Sequence, residues 1–269
     1  MHTSFTSRTL AVPLLLLLTA LTLLPAIASA QTADEIISKY FAARGGLDKI
    51  KKVQSERVSG TISFGPGADG PFVVERKRPM KMHMEITVAG KTLLRSYNGK
   101  AGWVYNPFGP NPTVVPMSEA DMRGIADEAD FEGPFVDYKT KGNKIEYAGK
   151  EDVNGKPAYK IKLTSKNGET SYFLFDIGTN LICKWEGTRR VGDKDVPWES
   201  YFRDFREQDG LKYPFLIESD APGTDQIQKI AADKIEVNVA MNDADFDKPN
   251  PPATEPAGTQ PPAAETPKP

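Results

Sequence analysis

Five carboxylates crowd the middle of the chain: Asp121, Asp127, Glu128, Asp130 and Glu132. Paired carboxylates do acid and nucleophile work in glycoside hydrolysis, and carboxylate clusters also bind calcium. No spacing among these five singles out a pair, and a solvated helix face uses the same residues. Histidine, the commonest general base near neutral pH, occurs twice, at His2 and His83. His2 lies in the leader described below, so a Ser-His-acid triad in the folded domain has to use His83. With one cysteine, Cys183, and one such histidine, no histidine-rich or Cys/His metal site is possible. Cys183 sits in the mostly apolar run Leu181-Ile182-Cys183-Lys184-Trp185, which fits a small buried hydrophobe. Asn242-Asp243-Ala244-Asp245-Phe246-Asp247 begins like a calcium loop but lacks the turn glycine and closing glutamate; it reads as a strand end. Gly65 to Gly70 lacks the Lys-Ser/Thr ending of a phosphate loop and reads as a loop between strands. These residues predict no catalytic group, no metal and no cofactor.

The more telling pattern is apolar. Met80, Met82, Met84, Ile86 and Val88 alternate with Lys81, His83, Glu85 and Thr87. Such a period of two is a half-buried strand, and three methionines on its apolar face make a soft, deformable surface. A surface of that kind suits acyl chains; a plain core stripe has the same pattern. On the same basis Trp103, Tyr105, Phe108, Trp185, Trp198, Tyr201 and Phe202 serve either as pocket lining or as core packing.

The elements that must position these side chains follow from periodicity. Thr32 with Glu35 forms a capping box for a helix bearing Ile36, Ile37, Tyr40 and Phe41, stopped by Gly45-Gly46. Leu47 to Val53 is a second short helix. From Val58 on, strand signals alternate with turn pairs at roughly ten-residue spacing. Ala89-Gly90, Asn98-Gly99, Asn154-Gly155, Asn167-Gly168 and Asp209-Gly210 are among them. No helices separate these strands, so the sheet is antiparallel. One segment breaks the meander. Asn106 to Pro116 reads as loop, and Ser118 caps a helix whose Met122, Ile125, Ala126 and Ala129 share a face. This Asn106 to Phe131 insertion is a candidate flap.

Arg8 precedes an apolar run from Leu10 to Ile27 that ends in Ala28-Ser29-Ala30. That is the form of a cleavable export signal, cut after Ala30. A retained anchor is the competing reading, disfavoured by the small-residue ending and the polar Gln31 to Glu35 stretch. The implied organisation is a signal at residues 1–30, a domain at 31–248 and a Pro-rich flexible tail at 249–269. Export points to the periplasm, and the lack of a cysteine pair leaves stability to the core. A formal net charge of −2 without a polybasic block excludes nucleic acid and anionic membrane surfaces as partners.

Several segments carry a family likeness. They are Ala33 to Val53 with its Gly45-Gly46, Val58-Ser59-Gly60, Tyr97 to Trp103, Phe175 to Leu181, Phe202 to Pro214 and Phe246-Asp247-Lys248-Pro249. The chain resembles the LolA/LolB-like group of outer-membrane lipoprotein-sorting proteins over Ala33 to Pro249. The resemblance implies a mainly β (α+β) fold: a curved antiparallel sheet, nearly a barrel, with helices across its open mouth. It also implies a hydrophobic interior for lipoprotein acyl chains or another lipid. Met80, Met82, Met84, Ile86, Trp103, Met122 and Ile125 are the expected cavity residues. The expected protein is a monomeric, non-catalytic periplasmic carrier with a hollow left open for cargo. The alternatives are an envelope scaffold or sensor module that binds a protein partner with the same fold, and an enzyme using carboxylates.

Overall fold

The computed structural model describes residues 1–2, 31–110, 112–191, 194–220 and 227–250, without the side chains of 189–191 and 194. The apolar leader and most of the Pro-rich tail therefore lie outside the described residues. No helix among the described residues is long and apolar enough to cross a membrane.

Two helices open the domain, α1 (Ala33–Arg44) and α2 (Leu47–Lys52). Thr32 caps α1, its hydroxyl accepting from the Glu35 amide while the Glu35 carboxylate accepts from the Thr32 amide. Gly45 ends α1 at φ 118°, a conformation in which a side chain is strained. A Cβ there would also lie 2.1 Å from the Gly210 carbonyl oxygen. The helix end thus seats directly on a hairpin turn.

Six strands follow: β1 (Ser55–Ser63), β2 (Asp69–Lys77), β3 (Lys81–Val88), β4 (Lys91–Tyr97), β5 (Gly102–Tyr105) and β6 (Val114–Pro116). Helix α3 (Glu119–Ala129) and the turns of residues 131–143 come next. Seven more strands complete the chain: β7 (Lys144–Val153), β8 (Lys156–Thr164), β9 (Thr170–Asp176), β10 (Ile182–Val191), β11 (Lys194–Gln208), β12 (Leu211–Asp220) and β13 (Ile227–Val237). Ala89-Gly90, Asn154-Gly155 and Asp209-Gly210 all have both central residues at positive φ, as the expected two-residue hairpins require.

All thirteen strands form one antiparallel sheet in the order β6-β5-β4-β3-β2-β1-β13-β12-β11-β10-β9-β8-β7. The two edges, β6 and β7, are consecutive in sequence and do not pair. The sheet is an open, curved one rather than a closed barrel. The segment between β6 and β7 must carry the chain from one edge to the other. That topological demand lays α3 and residues 131–143 across the sheet's helical side, where the insertion was expected to act as a flap.

Three apolar clusters fill the layer between sheet and helices. Ile36, Ile37 and Tyr40 of α1 join Phe135, Ile161, Phe173 and Phe175. Ile50 and Val53 join Val136, Tyr213, Phe215 and Ile235. Ile125 and Ala129 of α3 join Met82, Ile86, Phe72 and Ile62. Two local expectations need correction. Val114–Pro116, read as loop, is a short edge strand paired with β5, and Pro116 is tolerated there because edges need no further donors. Asn242 to Asp247 is not a strand end. Asp243–Phe246 is a 3-10 turn with an Asn242/Asp245 capping box, and it packs against β3 with Phe246 wholly buried.

Candidate functional site

The register of β3 decides which side chains share the helical side. Met82 pairs with Tyr97 and Met84 with Arg95, while His83 pairs with Ser96. Met80, Met82, Met84 and Ile86 accordingly gather in one cluster with Met117, Met122 and Ile125. Five of the chain's seven methionines meet there. Gly102 makes room for two of them: a Cβ on it would lie 2.7 Å from the sulfurs of both Met117 and Met122.

Six of the seven expected cavity residues are thus brought together. Trp103 is not. It pairs with Ser96, which pairs with His83, so it stands on the opposite face of the sheet. The one-residue offset between Tyr97 and Ser96 is what flips it. Met117 was missed; its place one residue before the Ser118 cap was the available signal. Met82 is 1% exposed and Ile125 0%, so α3 covers the centre of the cluster, while Met80, Met84, Met117 and Met122 are partly buried. The two concavities described lie elsewhere. One of about 350 Å3 surrounds Cys183, Tyr201 and Arg203, and one of about 460 Å3 surrounds Ser55, Lys77 and Asn238.

The central carboxylates have structural duties. Glu128 meets Arg95 at 3.1 Å, Glu132 meets Arg78 at 2.5 Å, and Asp130 accepts from Lys141. Asp121 accepts from the capping hydroxyl of Ser118. Asp121, Asp127 and Glu128 are exposed, as a solvated face requires, while Glu128, Asp130 and Glu132 also fasten the crossing segment. The Asp127 carboxyl, on an exposed residue, is raised from its ordinary value by partial desolvation and then by Glu169. Arg78 is the anchor of the exit from α3. Its Nε donates to the Val53 carbonyl at 2.6 Å, and its plane lies over the Phe131 ring.

On the other face, His83 sits between Ser96 Oγ (2.7 Å from Nδ1) and Glu85 Oε1 (3.1 Å from Nε2). The order serine, histidine, carboxylate is that of a hydrolytic triad. Ser96 has no exposed surface, and its hydroxyl is already taken up by His83 between the strands. His83 thus satisfies the buried Ser96 hydroxyl and holds the exposed Glu85 on its outer side. Asp243 of the would-be calcium loop is engaged by Lys77 at 2.8 Å and Lys81 at 2.9 Å, which together hold its carboxyl down to about 2. Among the described residues no group of three acidic, histidine or cysteine side chains is placed to hold a metal.

No known family and no curated protein matches the sequence. Solved structures do match. A LolA superfamily protein from Nitrosomonas europaea aligns over 81% of this chain and 98% of its own, with TM-score 0.53 and 17% identity. The fold is LolA-like. A domain named for outer-membrane lipoprotein sorting, from Vibrio parahaemolyticus, covers 80% of this chain and 95% of its own at TM-score 0.53 and 13% identity. A DUF1329 family protein from Desulfovibrio piger covers 78% and 96% at TM-score 0.52 and 17% identity. The LolA-like sheet is the element these chains share with this one. Identities this low establish architecture and leave the ligand to chemistry.

Proposed function

We propose that this protein is a non-catalytic carrier or binder of acyl-chain cargo in the bacterial envelope, with α3 as its lid. The observation that carries this reading is the methionine cluster beneath a short helix. Methionine adapts its shape to irregular apolar partners. The lid's own hold is modest. Undocking would expose Met122, Ile125, Ala126 and Ala129, at a cost of roughly 6 kcal/mol from side-chain burial of this kind. An acyl chain gains about 0.8 kcal/mol per buried methylene, so on the order of eight methylenes offset the exposure. A chain of lipid length can therefore replace the helix face. Export through the leader and a LolA-like architecture both suit this role, and lipoproteins are the cargo we favour.

The test is uptake of a fluorescent fatty-acid probe by delipidated protein. Met84→Glu, at a half-buried position, is expected to abolish uptake while leaving the circular dichroism spectrum unchanged. Uptake indifferent to that charge would overturn the proposal.

One observation favours a second reading. The helical side is filled by native side chains, as befits a module that grips a protein partner and transports nothing. In that case the probe fails to bind at any concentration below its own aggregation.

A further inference from the structure

Past the methionines, the same helical side carries a different composition. Phe173 of β9 stacks on Trp185 of β10, ring centroids 5.3 Å apart and nearly parallel, and Trp185 meets Trp198 of β11 edge to face at 4.4 Å. Phe135 adds an edge contact to Phe173 at 4.8 Å. Trp185 packs against the α1 cluster, which fixes this row on the helix-covered face. Within it runs one line of polar atoms. Trp185 pairs with Ser200, and Ser200 pairs with Ser219, so the three side chains cross three adjacent strands at one level. Ser200 and Ser219 hydroxyls are 2.7 Å apart. Only one of two hydroxyl protons is used in such a pair, which leaves the other to donate outward. The indole Nε1 of Trp185 is buried with no hydrogen-bond partner.

A buried indole N–H without an acceptor is costly, by about 1–3 kcal/mol. Native structures keep few such groups, and a ligand's acceptor is one reason to keep one. Cargo sites follow the same rule: an apolar lining with a few polar groups that fix orientation. The indole N–H can only donate, and the hydroxyl pair has one further proton to give. The complementary ligand group is an uncharged acceptor attached to a hydrocarbon chain.

We infer that Trp185 Nε1, with the Ser200–Ser219 hydroxyl pair, forms a carbonyl-binding subsite for the ester or amide linkage of acyl cargo. This rests on the carrier reading above. The aromatic rings hold the first methylenes of the chain, and the donors read its linkage. No described side chain of the row is a lysine or arginine, which distinguishes it from a carboxylate site, so free fatty acids gain less from it than esters.

The experiment is competition against a fluorescent fatty-acid probe on the purified full-length protein. Two competitors with equal numbers of non-hydrogen atoms are used, methyl laurate and pentadecane. The alkane carries more apolar carbon, so the readout is the change of the ester-to-alkane affinity ratio between variants. One hydrogen bond to a neutral carbonyl is worth about 0.5–1.5 kcal/mol, so Trp185→Phe should shift that ratio toward the alkane by roughly three- to tenfold relative to wild type, and Ser200→Ala should shift it the same way. Because the ratio is internal to each variant, a general loss of apolar contact in Trp185→Phe does not imitate the effect. An ester-to-alkane ratio left unchanged by Trp185→Phe overturns the subsite and leaves the carrier intact. Failure of the probe itself to bind overturns both.

Discussion

Arg95 on β4 and Glu128 on α3 face each other at 3.1 Å, and theirs is the ion pair that ties the helix itself to the sheet. The other ionic ties of the segment, Arg78–Glu132 and Lys141–Asp130, hold its exit. Both partners of the first pair are partly exposed, so it contributes about 0.2–1 kcal/mol, well below the apolar face it accompanies. Glu128→Gln should therefore speed probe association a few-fold with little change in melting temperature. Raising salt should do the same to wild type and not to the variant. Stopped-flow fluorescence at two ionic strengths measures this.

Ile125 is the deepest residue of α3. Ile125→Ala should cost about 2–5 kcal/mol if the cavity it leaves cannot collapse. If α3 opens independently, hydrogen exchange should quicken in α3 alone, with the β8–β9 region unaltered. Denaturant titration with residue-resolved exchange separates the two.

Gly45→Ala should destabilise the domain by more than about 1 kcal/mol. The left-handed backbone and the closeness of the Gly210 carbonyl act in the same direction. Gly46→Ala shares the strain of a positive φ but meets nothing within 4 Å, so it should cost less. Thermal melts of the pair isolate the steric part.

A carboxylate and lysine network spans the uncovered face of β7 to β11. Lys160 reaches Glu151 and Glu186, and Lys184 reaches Glu186 and Glu199, all within 2.7 Å. Burial opposes ionisation of Glu186, but hydrogen bonds from Lys160 and Lys184 outweigh it and hold its carboxyl below the usual range. Glu199 behaves alike, through Lys184 and Tyr201. A lowered carboxyl favours the fold above its unfolded pKa and loses that contribution as pH drops through the folded one. Stability should hold at neutral pH and fall below about pH 4.5. Glu186→Gln should flatten that acid limb in urea midpoints taken against pH.

Cys183 should resist thiol reagents. Burial, and then Asp176, push its thiol up to about 11, so little thiolate exists at neutral pH. Labelling of native protein at pH 7.5 should lag well behind labelling in denaturant.

Much of the sheet was legible because hairpin chemistry is local. Asn154-Gly155 and Asp209-Gly210 announce their own turns, and alternation around Met82 and Ile161 announces the buried face. The order of strands was not legible residue by residue. Pairing of β1 with β13 joins segments far apart in sequence, and nothing near Val58 marks Ile235 as its neighbour. The site was half legible for the same reason. The methionine period placed Met82 and Met84, and the helical period placed Met122 and Ile125. Trp103 went to the wrong face because its side depends on a cross-strand register. The anchoring of Glu132 by Arg78 depends on a crossing path that no local pattern encodes.

That crossing path joins the two free edges of the sheet, β6 and β7, by a single covalent strap. Any widening of the gap between the rims must stretch or lift the strap, and any guest that lifts it must loosen the rims. Under the carrier proposal, entry of cargo and the splay of the half-barrel are therefore one mechanical event, so a spectroscopic ruler fixed to the two edge strands would report loading without touching the lining.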